Sequence, residues 1–408
     1  MGYHGHTARA TDVAIVGAGA SGLSLAWRLC GLPAAVRPDV TLLDAPLGPC
    51  RPPERTWCYW EAPGGEFDSA LTASWGRLRV RGHDGGAVTA RPAPLRYKML
   101  RSPDFAALVR PRLEGHPGLR RLVARVGEVA DVPGGALVRG VTEDGRALAV
   151  RARWVFDSRP PARLPRARTR LVQHFRGLLV RAPAAVFDPG VAELMDFRTP
   201  QPASGLSFCY LLPCSRTEAL VEYTEFSPAV LDDAGYEKAL TRYARDVLGL
   251  RAYEVTGVEQ GIIPMTDGHF ARRAGASVFR IGTAGGATRP STGYTFAAIQ
   301  RQTRHIAAAL ARGRTPLPPR AYPRRALAMD AVLLRALHSG RLDGPAFFTR
   351  LFDAVPARRL LRFLDGASTP AEEVALGLRT PLRPMLHTVA ELPLLRRTPT
   401  RSPAGRLP

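Results

Sequence analysis

The first candidate site is a glycine-rich segment near the start of the chain with the pattern G-x-G-x-x-G. Between a strand and a helix, the three glycines allow a tight turn, a close approach to a pyrophosphate, and packing of the helix on the strand. The helix N-terminus then faces the phosphate charge. Asp44 ends the next strand, where a carboxylate can accept hydrogen bonds from ribose hydroxyls. These residues predict a dinucleotide site, with a glycine turn that binds no ligand as the alternative. The segment consists of Gly17, Ala18, Gly19, Ala20, Ser21 and Gly22.

A second glycine cluster lies about 260 residues further along the chain. It contains Gly282, Thr283, Gly285 and Gly286, directly after a predicted strand and before a predicted helix. In flavoproteins with two dinucleotide motifs, such a late element brings backbone N–H groups to the flavin end of FAD. An ordinary left-handed turn is the alternative. The two clusters together favour FAD over NAD.

Length and composition restrict the class of protein. The chain has 408 residues, 45% hydrophobic and 23% charged, as expected for a globular protein with two or three sub-domains. The five cysteines form no C-x-x-C pair, which argues against a disulfide framework and a structural zinc site and favours a reducing compartment. His174 and His269 lack the spacing of metal ligands, so no metal site is predicted.

The formal charge of +22 raises the possibility of nucleic-acid binding. Only Lys98 and Lys238 are lysines, however. Such an excess of arginine over lysine is equally typical of a genome-wide bias in codon composition. No recognition motif supports a nucleic-acid partner, although an arginine-rich nucleic-acid-binding protein remains a rival interpretation. Residues 311–408 hold 17 Arg against 7 Asp and Glu, a net charge of +10 that also suits an anionic membrane surface.

The pattern along the chain begins as a β-α-β unit, continues as a sheet with two-residue periodicity and returns to a strand–glycine–helix element. Helices are predicted at 23–30, 105–113, 237–249 and 296–312, strands at 12–16, 40–44, 154–157 and 277–281, an antiparallel sheet over 171–226, loops and short strands over 51–99, and basic helical structure after 316–319.

The predicted fold class is α/β. A Rossmann-type FAD-binding domain is interleaved with an antiparallel β-sheet substrate domain and followed by a helical C-terminal region. That the first domain is like that of flavin hydroxylases is implied by a family resemblance. The predicted domains are 11–56, 100–160 and 270–312 for FAD, 57–99 and 161–269 for the substrate, and 313–408 for the basic helical region.

Several segments together resemble the bacterial FAD-dependent lycopene beta-cyclase family. The resemblance covers roughly residues 11–310 in the family's order, and beyond 310 it is only general. The most specific segments are RTWCYW, MDFR and the block GTAGG…PSTGYTF. The segments that carry it are DVAIVGAGASGLSLAWRL, RTWCYW at 55–60, YKMLR at 97–101, VFDSR at 155–159, QHFRG at 173–177, MDFR at 195–198, FCYLLP at 208–213, LVEYT at 220–224, EQGIIP at 259–264, GTAGG at 282–286 and PSTGYTF at 290–296.

The resemblance implies an isomerase that converts each linear end of lycopene into a β-ionone ring without net redox change. It also implies FAD in its reduced form, with NAD(P)H as reductant, although the sequence has no separate NAD(P)H motif. The reductant therefore comes from a partner or binds transiently. Arg101, the last residue of the YKMLR segment, and Asp157, in the VFDSR segment, are implied as further cofactor-binding residues. A reductase or hydroxylase with FAD that acts on a polyprenoid is the alternative function.

Glu222 is the candidate general acid. Protonating an alkene requires a neutral carboxylic acid, and burial among apolar neighbours raises the pKa of a carboxyl group. Strand alternation places Glu222 on one face with Leu220, Thr224 and Phe226, and it occupies the acid position of the family's L-x-E-x-T motif. An edge-strand glutamate in solvent, or one paired with arginine, is the alternative. Plant-type members carry a second acid at the next position, where this chain has Tyr223.

Two weaker groups of candidates complete the predicted site. Asp196 is a tentative catalytic residue that orients Arg198 or lines the substrate tunnel, with a structural ion pair as the alternative. Aromatic rings are expected to shield and stabilise a carbocation, although aromatics at alternate strand positions are more often core residues. The aromatic candidates for the substrate pocket are Trp57, Tyr59, Trp60, Phe208, Tyr210, Tyr294 and Phe296.

The sequence also predicts where in the cell the protein is located. The sequence has neither a signal-peptide pattern nor an apolar run of about 20 residues, which predicts a protein on the cytoplasmic side. Phe347–Phe352 and Leu360–Leu364 carry apolar residues at helical spacing with arginines between them. They predict a helix pair on the membrane surface or, equally, a helical cap on the FAD domain. The expected partners are lycopene or another linear carotenoid in the bilayer, the membrane surface and other carotenoid enzymes.

Overall fold

A computed structural model describes residues 7–48, 51 and 53–401 of the chain. Cys50 lies outside the described residues. The remaining four cysteines, Cys30, Cys58, Cys209 and Cys214, are free thiols. The strands are β1 (Thr7–Val16), β2 (Val40–Asp44), β3 (Thr56–Glu61), β4 (Ala73–Trp75), β5 (Arg77–Arg81), β6 (Ala87–Ala90), β7 (Arg96–Arg101), β8 (Leu119–Val132), β9 (Gly135–Thr142), β10 (Ala147–Asp157), β11 (Arg163–Ala167), β12 (Arg170–Arg181), β13 (Val191–Asp196), β14 (Leu206–Pro213), β15 (Glu218–Ser227), β16 (Glu254–Thr266), β17 (Val278–Arg280) and β18 (Thr398–Arg401).

The helices lie mainly in the second half of the chain, as the sequence predicts. They are α1 (Ala20–Cys30), α2 (Ser102–Leu113), α3 (Asp233–Arg242), α4 (Phe296–Ala311), α5 (Arg324–His338), α6 (Gly344–Ala354), α7 (Ala357–Leu364), α8 (Pro370–Gly377) and α9 (Leu382–Glu391).

The predicted β-α-β unit is present and forms the centre of a parallel sheet. β1 lies between β2 and β10, and β8 and β17 extend the sheet on either side, with β9 antiparallel to β8 and β10. Val13, Ile15 and Leu42 are fully buried between the strands and the helices α1 and α4. Their neighbours Ala14, Val16 and Leu43 belong to a second core, formed with residues of β9 and β10.

The second sheet has seven strands in the order β16-β12-β15-β14-β13-β5-β6. Its central strands are antiparallel, which confirms the two-residue periodicity read over 171–226. One face packs against α3, and the other packs against the C-terminal helices. Two small sheets, β3-β7-β4 and β11-β18, complete the fold. The predicted fold class is confirmed, while the exact domain boundaries stay a prediction.

The C-terminal helices differ from both sequence interpretations of residues 347–364. Phe347, Phe348 and Leu351 are buried, and with Leu360 and Leu361 they join the core beneath the seven-stranded sheet. These side chains therefore form a cap over the seven-stranded sheet, not over the nucleotide domain, and they are not exposed as a surface-lying helix pair would require. The chain also ends differently from the helical prediction, because β18 pairs with β11.

Smaller differences from the predicted elements have local causes. α2 begins three residues before the predicted start because Pro103 suits the first turn of a helix. The helix predicted over 237–249 begins at Asp233, where the Asp232 side chain accepts a hydrogen bond from the Gly235 N–H at 2.8 Å. It then widens into a π-helical turn at Tyr243–Val247.

Candidate active site

The first glycine segment forms a tight turn between β1 and α1 whose geometry requires glycine. Gly17 has φ +96°, and a Cβ placed there would lie 2.4 Å from the Ser158 hydroxyl oxygen. A Cβ at Gly22 would lie 1.8 Å from the Gly17 carbonyl oxygen. At Gly19, by contrast, no atom of the described residues lies within 4 Å of such a Cβ. The backbone at Gly19 is thus open to a ligand at the N-terminus of α1.

The second glycine cluster lies directly beside the first. Gly282 has φ +63°, and a Cβ there would lie 2.2 Å from the Ser21 hydroxyl oxygen. Gly285 is equally constrained, since its Cβ would lie 2.3 Å from the Arg280 carbonyl oxygen, and Gly286 is left-handed with φ +77°. Thr283 accepts a hydrogen bond from Thr288 at 3.0 Å. The fold therefore brings the two clusters together as one glycine-lined surface, which fits an elongated dinucleotide.

The charged residues predicted around this surface stand at strand ends and have protein partners. Asp44 ends β2 and accepts a hydrogen bond from Arg51 Nη2 at 2.9 Å. Asp157 ends β10 and pairs with Arg159 Nη2 at 2.8 Å. Arg101 ends β7 and pairs with Glu54. Asp44 and Arg101 pair with half-exposed or exposed partners, which a bound ligand could replace at little cost.

A cavity with a volume of about 910 Å³ lies between the seven-stranded sheet and the C-terminal helices. Its sheet side includes Leu194, Met195, Tyr210 and Phe226, and Tyr294 lies beside them. On its helical side, α5, α8 and α9 contribute apolar residues together with the charged Arg324, Asp330 and Glu373. The part formed by α6 and α7 is entirely apolar and consists of Phe347, Phe348, Leu351, Phe352, Leu360, Leu361, Phe363 and Leu364. Such a space suits a hydrocarbon and excludes water from it.

Glu222 lies in the middle of β15, next to the wall of this cavity. Its register partners are Tyr210 on β14 and Gly177 on β12. Burial and, less strongly, the Glu259 carboxylate together raise the pKa of the Glu222 carboxyl from 4.5 to about 8, against a hydrogen bond that Thr224 donates at 3.0 Å. The carboxyl group is therefore protonated at neutral pH, as a general acid requires.

Glu259 is a second carboxyl group, half-buried, that the sequence did not single out. Gly177 pairs with Glu222 on one side and with Glu259 of β16 on the other. A Cβ at Gly177 would lie 3.4 Å from Glu222 Oε2, so the glycine leaves the space between the two carboxyl groups open. Glu259 Oε1 accepts the Thr56 N–H at 2.8 Å, and burial raises its pKa.

The predicted aromatic residues divide into two groups. Tyr210 and Tyr294 line the cavity, and Tyr294 forms a 2.9 Å hydrogen bond with Tyr97. Trp60 packs edge-on against Tyr294, with ring centroids 4.7 Å apart. Phe208 is fully buried behind Tyr210 as a core residue.

The other aromatic candidates lie towards the nucleotide domain. Trp57 stacks on Phe296 at 5.4 Å, and Tyr59 contacts the same ring at 4.9 Å. All three belong to the core around α1, α2 and α4 and do not line the large cavity. The aromatic residues that line the cavity also include Phe226 and the phenylalanines of α6 and α7. These phenylalanines lie more than 120 residues after Phe226 in the chain.

Asp196 lies on the opposite face of the sheet from Glu222. It pairs with Arg198 Nη2 at 2.6 Å and accepts a hydrogen bond from Tyr243 at 2.8 Å. A β-bulge between Glu193 and Asp196 turns both acids to this face and leaves Leu194 and Met195 towards the cavity. The geometry thus agrees with the structural ion pair that the sequence left as the alternative, and not with a role in lining the tunnel.

The sequence matches the lycopene cyclase protein family over residues 12–390. The chain belongs to this family. No protein in a search of curated proteins matches it significantly.

Among solved structures, the fold is similar to a flavoprotein/dehydrogenase from Cytophaga hutchinsonii, with a TM-score of 0.60 and 12% identity over 94% of this chain and 99% of that one. It is also similar to a geranylgeranyl bacteriochlorophyll reductase-like protein from Thermoplasma acidophilum, with a TM-score of 0.59 and 12% identity over 94% and 99%. A p-nitrophenol 4-monooxygenase from Pseudomonas putida has a TM-score of 0.55 and 15% identity over 94% and 97%.

Two further observations describe this member of the lycopene cyclase family. None of the helices in the described part of the chain is long and apolar enough to cross a bilayer. Within the described residues, no group of three or more His, Cys, Asp or Glu side chains is arranged to hold a metal ion.

Proposed function

We propose that this protein cyclises the linear ends of lycopene to β-ionone rings, giving γ-carotene, β-carotene or both. Membership of the lycopene cyclase family supports the substrate. The single observation that carries the chemistry is Glu222, a buried carboxyl group with a pKa of about 8 beside an apolar cavity of about 910 Å³.

For each ring formed, the substrate gains one proton and loses another. Glu222 donates its proton to the terminal alkene, the neighbouring double bond closes the ring on the resulting cation, and a proton leaves the ring. The product is an isomer of the substrate, so no net oxidant or reductant is consumed.

The cavity walls protect the cation in two ways. The phenylalanine and leucine side chains of α6 and α7 exclude water, which would otherwise trap the cation as an alcohol. The rings of Tyr210, Tyr294 and Phe226 present π electrons to positive charge. Neither contribution requires the substrate to be bound by polar groups, which a hydrocarbon cannot use.

FAD is the cofactor that the fold and the two glycine clusters fit. The open backbone at Gly19, the contact between Gly282 and Ser21, and the strand-end residues Asp44 and Arg101 would hold it. In its reduced form, the electron-rich flavin supplies electrostatic stabilisation of positive charge or a base near the substrate. We propose NAD(P)H, bound transiently or used by a partner protein, as the source of the reduced form.

The proposed substrate determines the proposed location. Lycopene resides in the lipid bilayer, so we propose a peripheral membrane protein on the cytoplasmic side. Its substrate would be supplied by enzymes that desaturate linear carotenoids, and other carotenoid enzymes are therefore the expected neighbours at the membrane.

Expression in a bacterium that accumulates lycopene tests the proposal directly. We expect new pigments with the mass of lycopene and the chromatographic behaviour of γ- or β-carotene. Pigments that gain hydrogen or oxygen would instead support the alternative reductase or hydroxylase. Unchanged lycopene alongside folded, flavin-loaded protein would show that the substrate is wrong.

A further inference from the structure

The exposed apolar side chains of this protein are concentrated in one short segment. The described residues expose fourteen large hydrophobic side chains, and six of them fall within residues 374–394. Single exposed hydrophobic residues are normal, but a concentration of them marks an interaction surface. We name this segment of α8, α9 and the following turn the rim segment; its exposed apolar residues are Val374, Leu378, Leu382, Leu386, Val389 and Leu394.

The spacing in the rim segment is regular. Val374, Leu378, Leu382 and Leu386 recur every four residues, and Leu378 and Leu386 are 65% and 64% exposed. This contrasts with α6 and α7, where the apolar residues at helical spacing are buried. In α9 only Thr388 is buried. The helix therefore presents most of its apolar side chains to the surroundings, not to the core.

The rim segment also forms part of the cavity wall. Leu376, Met385 and Leu392 line the cavity from between the exposed positions. Val389 lines the cavity and is 50% exposed. The cavity wall therefore reaches the protein surface at α9, among the exposed leucines.

The charge around these side chains is positive. Arg379 and Arg383 are exposed on the rim segment, and Arg396 is exposed directly after it. The three acids of the two helices have arginine partners outside the segment: Glu372 pairs with Arg362, Glu373 with Arg325, and Glu391 with Arg335 and Arg341. Apolar side chains with arginines between them match the boundary between acyl chains and anionic headgroups.

We infer that the rim segment is the face by which this protein docks on an anionic bilayer, and that a hydrocarbon passes there between the bilayer and the cavity. The inference rests on the proposed function for the identity of that hydrocarbon, but not for the docking itself. The inference places membrane docking on α8 and α9, whereas the sequence predicted it for residues 347–364.

Sedimentation with lipid vesicles tests the docking face on the full-length protein. The vesicles contain phosphatidylcholine alone or phosphatidylcholine mixed with phosphatidylglycerol. We expect binding that is stronger with phosphatidylglycerol and weakens as salt is added. The double variant Leu382→Glu/Leu386→Glu should bind about tenfold more weakly or worse. The matched control is Val186→Glu/Val258→Glu, at sites that are 52% and 63% exposed elsewhere on the surface, and it should bind like the wild type.

Cyclisation of lycopene in detergent micelles separates this inference from the proposed function. The rim variant should retain turnover in micelles and lose it with lycopene in vesicles. Equal vesicle binding by wild type and rim variant would overturn the docking face even if cyclisation is found. Vesicle binding that depends on the rim, with no cyclisation in micelles, would leave the docking face standing and contradict the proposed function. If the wild type forms a concentration-dependent dimer and the rim variant does not, the rim segment binds a second copy of this chain, and the membrane-docking inference is overturned.

Discussion

The two faces of the seven-stranded sheet each carry a buried acid on the same strand, and the two acids behave in opposite ways. Glu222 lies on the same face of the sheet as the cavity-lining Tyr210 and Phe226, and its pKa is raised to about 8, chiefly by burial. Glu225, three residues later, faces α3. Burial would raise its pKa too, but hydrogen bonds with His174 and Tyr223 outweigh burial and lower it. The Tyr223 hydroxyl donates at 2.7 Å, and His174 lies at 3.4 Å.

The difference shows that hydrogen-bond donors can outweigh burial in setting the pKa of a buried carboxyl group. On the α3 face, the donors to Glu225 favour its anionic form, which stabilises the fold. On the cavity face, Glu222 receives one hydrogen bond and has a second carboxyl group, Glu259, as neighbour. An acid kept neutral in this way can give up a proton.

The largest expected effect is on the cavity face. Glu222→Gln should retain the fold and the flavin but lower cyclisation by roughly 10²–10⁴-fold, since the amide has no acidic proton to give. Glu225→Gln is the matched control on the same strand and should cyclise normally per folded molecule. Pigment analysis in lycopene-accumulating cells measures both, and an active Glu222→Gln variant would remove Glu222 from the mechanism.

The pH dependence should report the raised pKa. Because the acid must be protonated, cyclisation should be full well below pH 8 and fall about tenfold per pH unit above it. Glu259→Gln removes a neighbouring negative charge, lowers the pKa of Glu222, and should move this descending limb to lower pH by less than about one unit. Rates at fixed lycopene in micelles measure the limb. A limb that moves upward in the variant would contradict the coupling.

Removing the ion pair on the α3 face should affect stability and leave chemistry unchanged. Asp196→Asn loses the charge that holds Arg198 and should lower the free energy of unfolding by about 2 kcal/mol, as expected for a hydrogen bond to a charged group. Denaturant unfolding of the flavin-loaded protein measures the loss. A large fall in turnover by fully folded protein would restore Asp196 as a catalytic candidate.

The smallest expected effect is on how the free energy of unfolding depends on pH, through Glu225. Its folded-state pKa lies below 4.5, so the stability it contributes is present above about pH 4.5 and is lost as the pH falls through the folded pKa. Glu225→Gln should remove this part of the acid sensitivity, with a cost of about 1 kcal/mol at neutral pH. Unfolding midpoints at several pH values measure it. Identical acid sensitivity in the variant and the wild type would assign the effect to another group.

The sequence was most informative where local geometry leaves few choices. Gly17 and Gly22 require a turn that other residues cannot form, so the strand, turn and helix around them could be placed closely. Alternation likewise placed Glu222 on one face with Leu220 and Phe226, because side chains in a strand alternate. Both inferences depend only on near neighbours in the chain.

The sequence was least informative where distant elements meet. The helical spacing of Phe347 and Leu351 shows that one side is apolar but not what covers it, which here is the seven-stranded sheet. The face of Asp196 depends on a bulge in β13, where one extra residue reverses the alternation. Glu259 pairs across Gly177 from a strand about 80 residues away, a register that no local pattern contains.

The most direct test of the central role of Glu222 is cyclisation of lycopene in D₂O by purified, reduced protein, followed by mass spectrometry of the product. An acid that exchanges with solvent delivers a deuteron to the terminal alkene, so the product should gain one deuterium for each ring formed, and Glu222→Gln should form no labelled rings. Rings that form without deuterium would show that no solvent-exchangeable acid starts the reaction, and would contradict the assignment of Glu222.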